Sequence, residues 1–314
     1  MAPRPDAPER EPLVLAWLER ELAGVDLAAL AWRRRERGWL GSLPHHVVWV
    51  GHSARAWRGL EREVAVLELA RGRLGARVPA VRLVDRELRA VICERKAGVS
   101  GPAIEARIFG VEADARPPTA VRLSPACPLT PWGRTFAREL GEVLARLHGA
   151  VSVREARDLG FAARRRDWDA VARALAGPAA LPELESALEN ARAWDERRAR
   201  TSDPSFVHGD PHLGNVVCGA NGELIGLIDF GDAALADRHE DLCFVHSQGL
   251  EFAARVLDAY ARESGVRLDA EVVARLHVCS ALEHFAWVDA SAPRFAGIVD
   301  WARVAVERLA PEWR

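Results

Sequence analysis

The chain has 314 residues, of which 49% are hydrophobic and 28% charged, and it carries a net charge of −2. That length and composition support two domains or two lobes with a full apolar core, and exclude a disordered or fibrous protein. The near-neutral balance gives no bulk attraction to nucleic acid, and the triplets Arg33-Arg34-Arg35 and Arg164-Arg165-Arg166 read as solvated faces. Cysteines at 93, 127, 218, 243 and 279 are scattered, odd in number and without Cys-x-x-Cys spacing, so they read as reduced core thiols. Residues 1–12 are rich in proline and charge and lack the apolar centre of a signal peptide, and no later stretch approaches the length of a membrane span. The expected setting is the cytoplasm, with neither a membrane nor a nucleic acid as partner.

In chain order, residues 13–22 place apolar side chains at 13, 14, 17, 18 and 22, a helical stripe. Residues 32–50 break into strand-like pieces at Arg37-Gly38 and Gly41-Ser42, with the clearest strand over 46–50. A periodic helix follows Gly51, with Leu60, Val64 and Leu67 inward and Glu63 at the edge of that stripe. Residues 81–84 and 90–93 give two more strands joined by a charged turn, and residues 94–98 form a connector ending in Gly98. Residues 111–128 show no period and are expected to be mostly loop. Thr130-Pro131 opens a helix, with threonine as N-cap and proline at the first helical position. Phe136, Leu140, Val143, Leu144 and Leu147 carry that helix to His148, where Gly149 is expected to stop it. Further helical periods run over 168–175, 184–200, 252–264, 270–288 and 295–309.

Residues 206–232 read F-V-H-G-D-P-H-L-G-N-V-V-C-G-A-N-G-E-L-I-G-L-I-D-F-G-D. Two short apolar runs, 216–218 and 223–228, flank Asn221-Gly222, a strong hairpin signal that would fold Asn215 back beside Asp229. Transfer of a phosphoryl group requires hard oxygen ligands for Mg²⁺ and a carboxylate that aligns the acceptor hydroxyl and takes its proton. Asn215 and Asp229 suit the first role, and Asp210 suits the second. Asp210 before Pro211 and Asn215 after Gly214 could instead be turn formers, since Asp and Asn bond their own backbone in loops. His208, Asp210 and His212 also have the look of a metallohydrolase cluster, but no second histidine-rich group with ligand spacing accompanies them.

His208-Gly209-Asp210-x-x-x-x-Asn215, followed by Ile228-Asp229-Phe230-Gly231 and by Asp241-Leu242 at the start of a helix, resembles the aminoglycoside phosphotransferase and choline kinase group. The resemblance is tight over 206–245 and loose elsewhere. It implies an α+β, bilobal protein-kinase-like fold, with a small antiparallel-sheet lobe over 1–97 and a larger, mostly helical lobe over 98–314. It assigns Asp210 as base, Asn215 and Asp229 as Mg²⁺ ligands, and His208 and Asp241 as structural members of the catalytic loop. ATP or GTP with Mg²⁺ would be the cofactor set, bound near Glu63 and near Glu94 at the hinge, and residues 111–128 would lie beside the substrate cleft.

The family's small-lobe lysine, which touches the nucleotide phosphates and pairs with the helix glutamate, has no counterpart. Trp49 stands at that place, and Lys96, the single lysine, sits in the hinge. Three readings follow: Arg55 or Arg58 supplies the cation, the register of this lobe is shifted, or nucleotide binding is weak and the protein is a catalytically weak or inactive nucleotide- or metabolite-binding module. The main expectation is transfer of the γ-phosphate to a hydroxyl of a small molecule, an aminoglycoside, a macrolide, another natural product or a metabolite. Glu240, Glu251, Glu283 and Asp289 are candidate partners for a cationic acceptor, although acidic residues on such helices more often face solvent. Trp287, His284 and Trp301 could wall an apolar acceptor. The sequence leaves the oligomeric state open.

Overall fold

A computed structural model describes residues 11–35, 37–111, 128–176 and 181–314. Residues 1–10 of the charged N-terminus, and 112–127 of the expected loop with Cys127 among them, lie outside the described residues. The first apolar stripe forms α1 (Glu11–Glu21). Its Val14, Trp17 and Leu18 pack with Val48, Val50, Ala90 and Ile92 of an antiparallel sheet. The sheet order is β1 (Ala31–Arg35), β2 (Gly38–Ser42), β3 (His46–Gly51), β5 (Ala90–Glu94) and β4 (Val81–Asp85). The break expected at Gly41-Ser42 lies inside β2, because pairing with β1 runs without interruption from Ala31↔Ser42 to Arg35↔Gly38. Ladder bonds on both sides of β2 outweigh the weak strand preference of glycine. The turn falls after it, closed by Leu43 N–H donating to the His46 carbonyl at 2.9 Å.

Alternation along β3 sends Val48 and Val50 toward α1 and turns Trp49 to the opposite face, where it packs against the larger core. That face is covered by α2 (Ala54–Leu74), started by the Ser53 hydroxyl accepting from Ala56 N–H at 3.2 Å. Trp57, Leu60, Leu67, Ala70 and Leu74 of α2 share one core with the helical part of the chain, so α2 is the packing bridge between sheet and helices.

Beyond the connector stands α3 (Pro102–Phe109), a short helix with no strong sequence signal. Thr130 caps α4 (Pro131–Ala150) by accepting from Gly133 N–H at 3.0 Å. The helix runs through Gly149. Its end is set by the next element, α5 (Val153–Asp158), whose capping box pairs Ser152 with Glu155 in both directions. Then come α6 (Trp168–Leu175), α7 (Glu185–Ala199), α8 (Leu250–Ser264), α9 (Ala270–Glu283) and α10 (Phe295–Leu309). The period read over 270–288 divides at Glu283 into α9 and a single 3₁₀ turn, and Asp241-Leu242 lie within a 3₁₀ run (Arg238–Gln248) rather than opening an α-helix. Among the described residues no helix is long and apolar enough to cross a membrane, and the four described cysteines are free.

Gly141 makes close packing of α4 on α8 possible. A Cβ there would lie 2.3 Å from the Val256 carbonyl oxygen and 2.9 Å from the Ala259 Cβ. Gly141→Ala is therefore expected to destabilise the protein by about 1–3 kcal/mol, the usual cost of overpacking. Thermal denaturation checks this, and an unchanged Tm would show that the two helices can part freely.

Candidate active site

Two small ribbons build the site. β6 (Ser205–Val207) pairs with β9 (Ala234–Ala236), and β7 (Val216–Cys218) pairs with β8 (Leu224–Leu227) as a hairpin. The loop 208–215 joins β6 to β7, and Asp229 follows β8. Ile228 N–H donates to the Asn215 carbonyl at 2.9 Å, which brings the two motifs side by side. Asn215, 8% exposed, turns its Nδ2 onto Asp210, donating to the backbone carbonyl at 2.8 Å and to Oδ2 at 3.2 Å. Its Oδ1 is then the atom left for a cation. Asp229 holds a left-handed backbone, φ 63° and ψ 67°, a conformation that costs a non-glycine residue energy and that surrounding structure must enforce.

Glu63 of α2 reaches this motif, accepting from Phe230 N–H at 3.2 Å. Burial, reinforced by Asp229, pushes its pKa up to about 7, with Arg37 pulling the other way. Asp210 is likewise raised to about 7, first by burial and then by Asp232 and Asp229, against the opposing charge of Arg164. Its side chain still keeps 45% exposure, so the carboxylate is open to an incoming group. The carboxylates of Asp210 and Asp229 and the amide oxygen of Asn215 are hard donors of the kind that hold Mg²⁺. The residues therefore fit that ion.

The loop 208–215 is fixed by Asp241, which is fully buried. Its Oδ2 accepts from His208 N–H at 2.7 Å and from His148 Nε2 at 3.0 Å, while Oδ1 accepts from Gly209 N–H at 2.8 Å. His148 Nδ1 in turn lies 2.8 Å from the Tyr260 hydroxyl, so the tautomer protonated on Nε2 satisfies both contacts. Burial alone would raise the Asp241 pKa, but these hydrogen bonds and the nearby histidines outweigh it and hold it below the ordinary value. His208 is also fully buried, with Nε2 on the Ile228 carbonyl at 3.0 Å and Nδ1 facing Asp210 N–H at 3.3 Å. Its nitrogens are thus committed to backbone. Among the described residues no group of three or more His, Cys, Asp or Glu is arranged to hold a metal, which leaves the metallohydrolase pattern without a site.

Arg164 and Arg166 do not form a solvated face. They alternate inward around exposed Arg165 along an extended segment. Arg166 has a side chain only 3% exposed and binds Asp195 at 3.0 Å, Glu240 at 2.6 Å and Glu283 at 3.3 Å. Arg164 lies 3.6 Å from Glu283 and donates to the Gly209 carbonyl, tying this buried cluster to the loop 208–215. Glu240 and Glu283, 5% and 6% exposed, are therefore bound to arginines and do not line an open acidic pocket. Glu251 is taken up by Arg255 and Leu129 N–H, and Asp289 caps its own turn at Ser291. Trp287 is 60% exposed, beside His284 with ring centroids 5.4 Å apart. His284 also acts electrostatically on His212, whose Nε2 lies 3.4 Å from Asp210 Oδ2.

On the sheet side, Glu94 has its carboxylate occupied by Lys96 at 2.9 Å, Arg71 at 3.5 Å and Ala80 N–H at 3.1 Å. Arg55 and Arg58 are exposed on α2, where with Glu61, Arg62, Ala65 and Leu159 they line a surface groove of about 440 Å³. The cation that reaches the Asp229 motif is Arg37, from the turn between β1 and β2. Its Nη1 donates to the Gly231 carbonyl at 2.8 Å and its Nη2 to Asp232 Oδ1 at 3.0 Å. Sequence reasoning passed over Arg37, Arg164 and Asp232. Only Asp232 had a usable signal, its place directly after Gly231.

A hairpin that sets an amide and a carboxylate beside a loop aspartate, under an antiparallel sheet whose helix glutamate docks on the same motif, defines a kinase-like phosphotransferase. The chain belongs to the phosphotransferase enzyme family (APH), whose model matches residues 46–277. Among solved structures it is similar to the apoenzyme of macrolide 2'-phosphotransferase MphH from Brachybacterium faecium, with 20% identity, TM-score 0.62, and 97% of this chain and 99% of that one covered. It is also similar to APH(2")-IIa in a ternary complex with streptomycin and ATP, with 17% identity, TM-score 0.61 and coverage of 98% and 100%. A third is a type I macrolide 2'-phosphotransferase, with 19% identity, TM-score 0.60 and coverage of 98% and 99%. A comparison with curated protein sequences finds no significant match.

Proposed function

We propose that this phosphotransferase moves the γ-phosphoryl group of ATP or GTP to a hydroxyl of a small molecule. The observation that carries this reading is that Asn215 Nδ2 holds Asp210 while the bond from Ile228 N–H to the Asn215 carbonyl brings the residue before Asp229 alongside, with Asp229 close enough to act electrostatically on Asp210. Asn215 Oδ1 and Asp229 would hold Mg²⁺, which when bound neutralises charge on the phosphates. Asp210 aligns the acceptor hydroxyl and takes its proton, and Asn215 Nδ2 keeps that carboxylate in place. Asp241, His148 and Arg164 hold the loop that carries Asp210.

The acceptor side favours a molecule with an apolar face over a polycation. Glu240 and Glu283 are already neutralised by arginines, whereas His284 and exposed Trp287 stand on the side of His212 and Asp210. The neighbouring solved structures include enzymes named for macrolides and complexes with streptomycin and gentamicin, so an antibiotic or a related hydroxylated natural product is the class to test first. Nucleoside diphosphate release should be measured with Mg²⁺ and ATP or GTP across panels of macrolides and aminoglycosides. Acceptor-dependent release is expected, stronger with macrolides. Nucleotide binding without release from any acceptor would favour the second reading, a binding module without turnover, which the packing of Trp49 against the core, at the place on β3 where the resemblance expects a lysine, supports.

A further inference from the structure

We propose that Arg37, carried on the turn between β1 and β2, is the cation that meets the nucleotide phosphates in this chain. This rests on the phosphotransferase reading above. The face of β3 opposite α1 carries Trp49 and no cation. Lys96 cannot serve, because its side chain is 6% exposed and its ammonium is held by Glu94 and the Ala76 carbonyl. Arg55 and Arg58 face the surface groove on α2.

Arg37 alone among these basic side chains is placed against the Asp229 motif. Gly231 makes the room for it. A Cβ on Gly231 would lie 2.3 Å from Arg37 Nη1 and 3.3 Å from Asp229 Oδ1, so the guanidinium and the metal-binding carboxylate flank the same glycine. The contacts to Gly231 and Asp232 use two of the five guanidinium donors, and 43% of the side chain remains exposed. A planar guanidinium with spare donors is well matched to phosphate oxygens.

The test is the Kd of the full chain for Mg·ATP and Mg·GTP by calorimetry, with Tm measured in parallel. Arg37→Ala is expected to weaken nucleotide binding by about 10- to 100-fold, the range for losing charge-assisted hydrogen bonds. Arg37→Lys should fall between that variant and wild type. Trp49→Lys placed in the Arg37→Ala background should recover part of the affinity, since both positions would then address the same phosphates. An Arg37→Ala variant that binds nucleotide like wild type while Asp229→Ala loses Mg²⁺-dependent binding would overturn the proposal and leave the phosphotransferase reading standing. The proposal falls in the same way if Arg37→Ala lowers Tm without moving Kd, or if the loss of affinity appears in the Arg55→Ala/Arg58→Ala double variant instead. A folded wild-type protein that binds neither nucleotide would overturn both.

Discussion

Asp210→Asn is expected to lower kcat by about 10²- to 10⁴-fold, the usual contribution of a positioned general base, with nucleotide Kd near its wild-type value. The substitution keeps the shape of the side chain and a partner for Asn215, so the loop should stay in place. It removes only the capacity to accept a proton from the acceptor hydroxyl. Steady-state turnover with any responsive acceptor, together with calorimetric nucleotide binding, separates the two quantities. Turnover that survives intact would remove Asp210 as the base.

Asp241→Ala should be the most destabilising of these single changes, by about 3–5 kcal/mol, because it leaves buried partners without their counter-charge. His208 N–H, Gly209 N–H and His148 would all lose their acceptor in a region closed to water. In a chain of this length the Tm should drop on the order of 10 °C, and turnover should fall with the loop's position. Asp241→Asn retains one acceptor oxygen and should be milder.

Asp241 also sets a pH dependence. Its folded pKa lies below the ordinary carboxylate value of ~3.9, so its stabilisation is complete above that pH and is lost as pH falls through the folded pKa. His246 acts at higher pH. Burial lowers it from 6.5 to about 4, so the unfolded chain takes up a proton that the folded chain declines as pH falls between those values. His246 therefore contributes a loss of stability from about pH 6.5 downward, opposed over the same range by Glu63 and Asp210, whose raised pKa values make the folded chain take up protons that the unfolded chain declines. The part of any decline below ~3.9 should flatten in Asp241→Ala. A Tm that falls below ~3.9 as steeply in Asp241→Ala as in the unchanged protein would contradict the Asp241 assignment, and a slope between pH 6.5 and 4 left unaltered by His246→Gln would contradict that of His246.

The hairpin around Asn221-Gly222, the start of α4 at Thr130-Pro131 and the bounds of α6 and α10 were legible because each depends on bonds or periodicities spanning a few residues. The bilobal, kinase-like architecture was legible through the spacing of the 208–231 motifs. The stop at Gly149 and the break at Gly41 misled because glycine is only a weak local signal. A capping box three residues on, and strand pairing on both sides, decided those points instead.

By itself, the order of residues determined which side chains are the candidates for the proposed chemistry, since Asp210, Asn215 and Asp229 lie within twenty residues on one loop and one hairpin. Tertiary structure alone decided which charges stand around them. Arg37 meets Gly231 across 194 positions and His148 meets Asp241 across 93, separations at which no local pattern is imposed on the sequence. The Arg164-Arg165-Arg166 run shows the same limit. A charge is costly to bury alone and so reads as exposed, until folding delivers Asp195, Glu240 and Glu283 to neutralise it.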